Sequence, residues 1–273
     1  MDSDSQIRLK FWGVRGSVPV PKQGYLRCGG NTTCIEIRYR DTLIIIDAGT
    51  GIRLLGATLQ AEDADGIHIL MTHFHWDHIQ GLPFFAPLYS PHAKISFYSS
   101  RPVQELRAAL RGEMSPPYFP VGFDALPARI DLVEFAGTSL QLSGVAIHPF
   151  PLNHPQGAVG YRIEAAGKVI THACDSEHGN PQLDTVLRKY SQNSDLLIYD
   201  AQYTPEEYEA KKGWGHSTWL EATRVARTCE VGRLMLFHHD PEHDDTTMEG
   251  IVTQARQHFN NTDIAREQEE IFL

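Results

Sequence analysis

Four cysteines in 273 residues, Cys28, Cys34, Cys174 and Cys229, are too few for a disulfide-stapled scaffold, and no two form a Cys-x-x-Cys pair. Reduced thiols in a cytoplasmic protein are the economical reading, and only Cys174, beside an aspartate of interest, is a candidate reactive thiol. Long apolar runs are lacking too: the longest are of strand length, far short of a membrane span. The acidic opening Met1-Asp2-Ser3-Asp4-Ser5 has no apolar core behind it, so it does not read as a secretory signal. Cationic excess is absent, since 24 Lys and Arg stand against 34 Asp and Glu for a formal net charge of −10. That balance weighs against a surface built to grip long nucleic acid by neutralising phosphates, while leaving room for a local basic cleft. No composition break or low-complexity linker divides the chain, so residues 1–273 read as one domain. A hydrophobic share of 41% and a charged share of 21% are those of an ordinary globular protein, monomeric or homodimeric.

What is present in abundance is metal-ligand chemistry in one place. Thr72-His73-Phe74-His75-Trp76-Asp77-His78-Ile79 packs three histidines and an aspartate into six residues, directly after the apolar run Ile67–Met71, which reads as a buried strand. Alternation along a strand sends His73 and His75 out of its end on one face. Asp77 and His78 follow at a turn, with Asp77 suited to cap the apolar segment from Ile79 to Phe85. Imidazole and carboxylate suit zinc, manganese or iron, and two such pairs can serve two ions.

Other strand ends carry similar residues. Leu43–Ile46 runs into Asp47-Ala48-Gly49, and a carboxylate between branched apolar residues and a glycine-rich turn must be hydrogen-bonded or paired. Its expected task is to brace the histidine loop from behind, with a helix cap over 52–60 as the alternative. Val145–Phe150 leads to Asn153-His154-Pro155, making His154 a third ligand for the ion of His73 and His75. Lys168–Ala173 leads to Cys174-Asp175, where Asp175 is the carboxylate to bridge two ions; His172 and His178 flank it with weaker claims. Arg233–Phe237 delivers His238-His239, one of which completes the second ion's set. Gly213-Trp214-Gly215-His216 enters a helix over 218–228, so His216 is placed to meet an anion. The proline-rich stretch Met114–Pro120 reads as a loop over the metal region, with Tyr118 and Phe119 as pocket walls.

Asp47, His73-x-His75-x-Asp77-His78, His154, Asp175 and His238, in this order and each at a strand end, resemble the motifs of the metallo-β-lactamase superfamily. The similarity spans nearly the whole chain. The opening Gly13-Val14-Arg15-Gly16-Ser17-Val18-Pro19, the segment Gly29-Gly30-Asn31-Thr32-Thr33 and the late Gly215-His216-Ser217-Thr218 look most like its ribonuclease Z and cyclic-phosphate phosphodiesterase branch. The resemblance implies an α/β fold, an αβ/βα four-layer sandwich of two mixed β-sheets flanked by helices. It also implies two divalent ions, zinc first among them: one on His73, His75 and His154, the other on Asp77, His78 and His238, with Asp175 between. One departure stands out. Ribonuclease Z enzymes commonly carry a basic, glycine-rich arm for transfer RNA between the motifs of His154 and Asp175, and only a short stretch separates those here.

Two ions about 3.5–4 Å apart share a water, bring its pKa toward neutrality and clamp the oxygens of a phosphodiester undergoing in-line attack. The expected activity is therefore hydrolysis of a small cyclic phosphodiester such as a cyclic nucleotide. Asp77 and Asp175 would hold the nucleophile's geometry, and His216 would bind the phosphate or protonate the leaving oxygen. Arg15, Asn31 and Tyr118 are candidate substrate contacts. A ribonuclease Z-like nuclease, a thioester or lactone hydrolase, and a non-catalytic binding protein are the alternatives.

Overall fold

The computed structural model describes residues 6–60, 63, 66–135, 137 and 139–273; Met1–Ser5, at the acidic opening, lie outside the described residues. Fourteen strands and seven α-helices are found among them. The first sheet draws on β1 (Arg8–Gly13), β2 (Cys34–Tyr39), β3 (Thr42–Ile46), β4 (Ile67–Leu70), β5 (Lys94–Ser99), β6 (Arg129–Glu134) and β14 (Glu270–Phe272), in the order β14-β1-β2-β3-β4-β5-β6. The second draws on β7 (Leu140–Leu142), β8 (Val145–Leu152), β9 (Ala158–Ala165), β10 (Lys168–Ala173), β11 (Leu196–Asp200), β12 (Arg233–Phe237) and β13 (Thr262–Ile264), in the order β13-β12-β11-β10-β9-β8-β7. Each sheet is mixed: β3 to β6 are parallel and β14 to β3 antiparallel, while β10 to β13 are parallel and β7 to β10 antiparallel.

The central strands, such as β3 and β12, are apolar on both faces because both are covered. In β3, Ile44 and Ile46 point to a core shared by the two sheets, while Leu43 and Ile45 point the other way. The same alternation divides Met235 and Phe237 of β12 from Leu234 and Leu236. The outer core of the first sheet is closed by α1 (Ile52–Thr58) and α3 (Val103–Glu113). That of the second is closed by α4 (Pro181–Ser191), α6 (Trp219–Thr228) and α7 (Asp245–His258). The result is the αβ/βα sandwich of four layers.

Strand direction decides where chemistry can gather. β3 and β4 are parallel, and so are β10, β11 and β12; β8 points with β10 because β9 runs against both. The residues just after β3, β4, β8, β10, β11 and β12 therefore collect along one edge of the sandwich, where ligands of open α/β sheets bind. Between β9 and β10 the chain makes a two-residue turn at Ala166 and Gly167, both with positive φ, and no arm is inserted there. Two short strands near the C-terminus, β13 and β14, were not among the sequence expectations; three residues each are too short to show a period. No helix among the described residues is long and apolar enough to cross a membrane.

Candidate metal centre

Three residues of the edge leave their strands in the same way. Asp47, Asp175 and His238 have φ of 60°, 58° and 62°, each within two residues of a strand end. Such left-handed backbone is tolerated by aspartate and histidine better than by branched residues, and costs about 1–3 kcal/mol. It turns the chain at once, so each side chain points along the edge rather than over the sheet.

Two trios of ligand atoms result. His73 Nε2 lies 2.9 Å from His75 Nδ1, which lies 3.1 Å from His154 Nε2. Asp77 Oδ2 lies 3.4 Å from His78 Nε2 and 3.2 Å from His238 Nε2. Asp175 stands between them with its oxygens divided. Its Oδ1 is 3.9 Å from His73 Nε2 and 3.7 Å from His154 Nε2, and its Oδ2 is 3.2 Å from His78 Nε2 and 3.5 Å from His238 Nε2.

The outer partners fix which nitrogen faces inward. His154 Nδ1 donates to the Gly215 carbonyl at 2.8 Å, His238 Nδ1 meets Gln202 Oε1 at 2.9 Å, and His78 Nδ1 meets Asp47 Oδ2 at 2.8 Å. A neutral imidazole that donates from Nδ1 keeps a lone pair on Nε2, the state a metal ligand needs. Asp47 also accepts from the Thr72 backbone N–H at 2.9 Å and the Thr72 hydroxyl, so one carboxylate ties β3 to the loop after β4.

Electrostatics separates the trios. Burial, reinforced by neighbouring imidazoles and opposed in part by Asp175, lowers the pKa of His73 and His154 and keeps them neutral. Burial also works against charge on Asp175, yet His238, His78 and His73 hold it well below the carboxylate range, and His78 with His238 do the same for Asp77. The converse holds for the histidines beside these carboxylates. Against the cost of burial, His78 is raised well above its ordinary value, and His238 to about 9. Two buried carboxylates thus demand positive charge in the second trio. His78 Nε2 is fully buried with no hydrogen-bond partner among the described residues. A buried ring nitrogen 3.2 Å from Asp175 Oδ2 and 3.4 Å from Asp77 Oδ2 holds a proton between two ionised carboxylates, a place where a divalent cation would satisfy all three groups at once.

Several expectations need correction. Asp77 is not a helix cap: the short helix α2 (Trp76–Ile79) has His75 at its N-cap, and Asp77 instead accepts the Ser17 backbone N–H at 2.7 Å. The segment to Phe85 continues as a 3₁₀ turn, Leu82–Phe84. Arg15 is not a substrate contact. It is fully buried and donates to the carbonyls of Gly29, Asp240 and His243, strapping the opening loop to the segment after β12. The Asn31 side chain is taken by Glu267 at 3.0 Å. Cys174 is fully buried, with burial and Asp175 pushing its thiol well up, so it is packing rather than a reactive thiol. His239 turns away, its Nε2 donating to the Ala265 carbonyl at 2.8 Å, so His238 is the one that faces the cluster. His172 is buried against Phe237, where burial lowers it to about 4, and His178 meets the Ser217 hydroxyl. Tyr118 is exposed in a cavity beside the cluster.

Three contributors escaped the sequence reading. Asp200, fully buried at the end of β11, accepts the backbone N–H groups of Asp175 and Ser217 and meets His216 Nδ1 at 2.9 Å. Glu177 accepts the N–H groups of Gly213 and Gly215 and holds the loop that carries His216. Gln202 holds His238. The signal for Asp200 was present, since Leu-Leu-Ile-Tyr-Asp ends a buried strand on a carboxylate just as Leu-Ile-Ile-Ile-Asp does at Asp47. A surface cavity of about 470 Å³, lined by Ser17, Phe74, His75, Trp76, Asp77, Asp175 and His216, opens onto the cluster.

Comparison with known proteins agrees with this architecture. The β-lactamase superfamily domain model matches residues 42–239. A ribonuclease Z of Thermoplasma acidophilum is 24% identical over 314 aligned positions, covering 94% of this chain and 94% of that protein. The metallo-β-lactamase fold protein YhfI from Bacillus subtilis superposes with a TM-score of 0.78 at 18% identity, covering 98% of this chain and 99% of that one. A diphosphatase of the PhnP family superposes at 0.70 with 19% identity, covering 97% of each chain. With a family model over most of its length, the chain belongs to the β-lactamase superfamily, as a metal-dependent hydrolase of the metallo-β-lactamase fold whose aligned relatives include ribonuclease Z proteins.

Proposed function

We propose that the protein is a dinuclear metal-dependent phosphodiesterase acting on a small cyclic phosphodiester, such as a cyclic nucleotide. The observation that carries the reading is the division of Asp175, one oxygen toward His73 and His154 and the other toward His78 and His238. In it, His73, His75 and His154 hold one ion, Asp77, His78 and His238 the second, and Asp175 faces both; zinc, manganese and iron all suit such ligands. Two ions bound there supply an acidified water and a clamp for phosphoryl oxygens. Asp77 Oδ2 is held by the Ser17 N–H, and the loop that carries Asp175 is held by its backbone N–H donating to the Asp200 carboxylate. His216, with Nδ1 on Asp200, lines the cavity that opens onto the cluster. From there it holds the phosphate or passes a proton to the leaving sugar oxygen, a role worth about 10²–10⁴ in rate.

A nuclease acting on RNA ends is the second reading, favoured by the name of the aligned ribonuclease Z. Two observations weigh against it: the two-residue turn between β9 and β10, and the formal net charge of −10. The alignment with the Thermoplasma protein also runs longer than this chain's 273 residues, so that relative carries segments without a counterpart here.

The test is a hydrolysis panel on protein loaded separately with zinc and manganese, with His75→Ala as the blank. It sets 3′,5′- and 2′,3′-cyclic nucleotides beside bis(p-nitrophenyl) phosphate, a structured RNA and a lactone. Metal-dependent opening of a cyclic monophosphate with RNA untouched is expected. Activity confined to RNA or to the lactone would overturn the substrate class.

A further inference from the structure

A second cavity, of about 660 Å³, adjoins the metal edge and shares Phe74 and Trp76 with the cavity that opens onto the cluster. Its walls are unlike those of the metal edge. Trp76, Phe84 and Tyr118 expose 78%, 59% and 83% of their surface, an unusual outlay of aromatic area. Phe119 meets Phe84 edge-on, with ring centroids 5.8 Å apart. The helix α3 forms another wall with Ala108, Ala109 and Gly112, whose small side chains keep the space open.

The charges of this cavity exclude one end of the substrate. Its lining includes no lysine, arginine or histidine, and its only ionisable carboxyl is Glu113, which burial pushes up. A phosphate would meet no counter-charge there, whereas the neighbouring cluster would hold it. The volume falls in the range of small-molecule sites, which are mostly apolar with a few polar groups. Here those are Glu113 and Gln80, whose NH₂ donates to the Thr32 hydroxyl at 3.2 Å and leaves its Oε1 as the acceptor on offer.

Building on the phosphodiesterase reading, we infer that this cavity receives the nucleobase of the substrate, stacked among Trp76, Phe84 and Tyr118, while the phosphodiester lies at the metal edge. The protein then selects nucleoside phosphodiesters over those with aliphatic or sugar substituents alone.

The test compares a 3′,5′-cyclic nucleotide with the same cyclic phosphate lacking its base, on the metal-loaded protein. Two variants probe the cavity. Gly112→Phe fills it, since a Cβ at Gly112 meets nothing within 4 Å; Phe84→Ala with Tyr118→Ala strips exposed rings. Both should cut kcat/KM for the nucleotide roughly tenfold to hundredfold, the worth of base stacking on aromatic side chains. Neither should alter kcat/KM for the base-free compound or the bound metal. In parallel, adenosine is titrated against tryptophan emission of the metal-free protein, with ribose as control; binding should appear in the wild type and vanish in Gly112→Phe. Equal losses on both substrates, or no change on either, would overturn the inference. Should no diester be hydrolysed at all, the phosphodiesterase reading fails by itself. Adenosine titration then decides the cavity: binding abolished by Gly112→Phe upholds base recognition, and no binding refutes it.

Discussion

Replacing Asp47 by asparagine tests whether the metal edge is organised from behind. In the wild type one oxygen accepts from the Thr72 N–H at 2.9 Å and the other meets His78 Nδ1 at 2.8 Å. Asparagine keeps one acceptor and gains a donor. With its oxygen on Thr72, its NH₂ faces the Nδ1–H of His78, and two donors cannot share a bond. His78 must then move its proton to Nε2, losing the inward lone pair, or rotate. Loss of such an outer partner typically costs 10–100-fold in metal affinity, equivalent to about 1.4–2.7 kcal/mol. An unsatisfied buried donor adds about 1–3 kcal/mol of lost stability. Competition with a chromophoric chelator should therefore resolve two ions in both proteins. In Asp47→Asn the ion on His73, His75 and His154 should keep its affinity, and the other should weaken by the stated factor. Wild-type affinity for both ions, or selective loss of the first, would refute the reasoning.

Further outcomes follow from the same geometry. His216→Ala should lower turnover of the best diester about 10²–10⁴-fold while metal analysis still finds both ions; intact turnover would remove it from the chemistry. Arg15→Ala should destabilise by at least about 3 kcal/mol in a denaturant titration, since three carbonyls lose a charged donor, yet leave the diester KM unchanged; a raised KM at full stability would restore it as a substrate contact. In Gly215→Ala a Cβ would stand 2.4 Å from His154 Nδ1 at a φ of 90°, so calorimetry should register a loss of about 1–3 kcal/mol together with a weakened first ion. Chelation should lower the melting temperature, because a ligand at a thousand times its Kd stabilises by about 4.1 kcal/mol; an unchanged melt would mean that the fold holds its carboxylates and imidazoles without ions.

How much was legible depended on whether a residue's role lay in its own neighbourhood. His73, His75 and His78 could be read because strand alternation and a tight turn bring them together within six residues. Asp175, His154 and His238 could be read individually as strand-end residues, but their meeting depends on β8, β10 and β12 pointing the same way, which only the parallel and antiparallel pairings determine. The family resemblance bridged that gap. Arg15 was misread because a cation in a glycine loop looks the same in sequence whether it faces solvent or, as here, three buried carbonyls. Asp77 was misread because capping propensity is a local preference, and the Ser17 N–H that overrides it comes from the opening loop, 60 residues earlier. Asp200 and Gln202 were missed because their partners, His216 and His238, become neighbours only in the folded edge. The helix over 218–228 needed no such help, since its cap, Thr218, accepts from the Glu221 N–H within a single turn at the start of α6.

The division of Asp175 has a mechanical side. The first sheet supplies His73, His75, Asp77 and His78, and the second supplies His154, Asp175 and His238, so each trio straddles a seam crossed by no shared strand. Apolar packing between two sheets resists separation well but sliding less, because it has no fixed direction. A row of ligands drawn from both sides has direction, and a slip of one ångström along the seam would break every cross-sheet distance at once. The cluster is thus the latch of the sandwich, and its closing would set the register of one half of the molecule against the other.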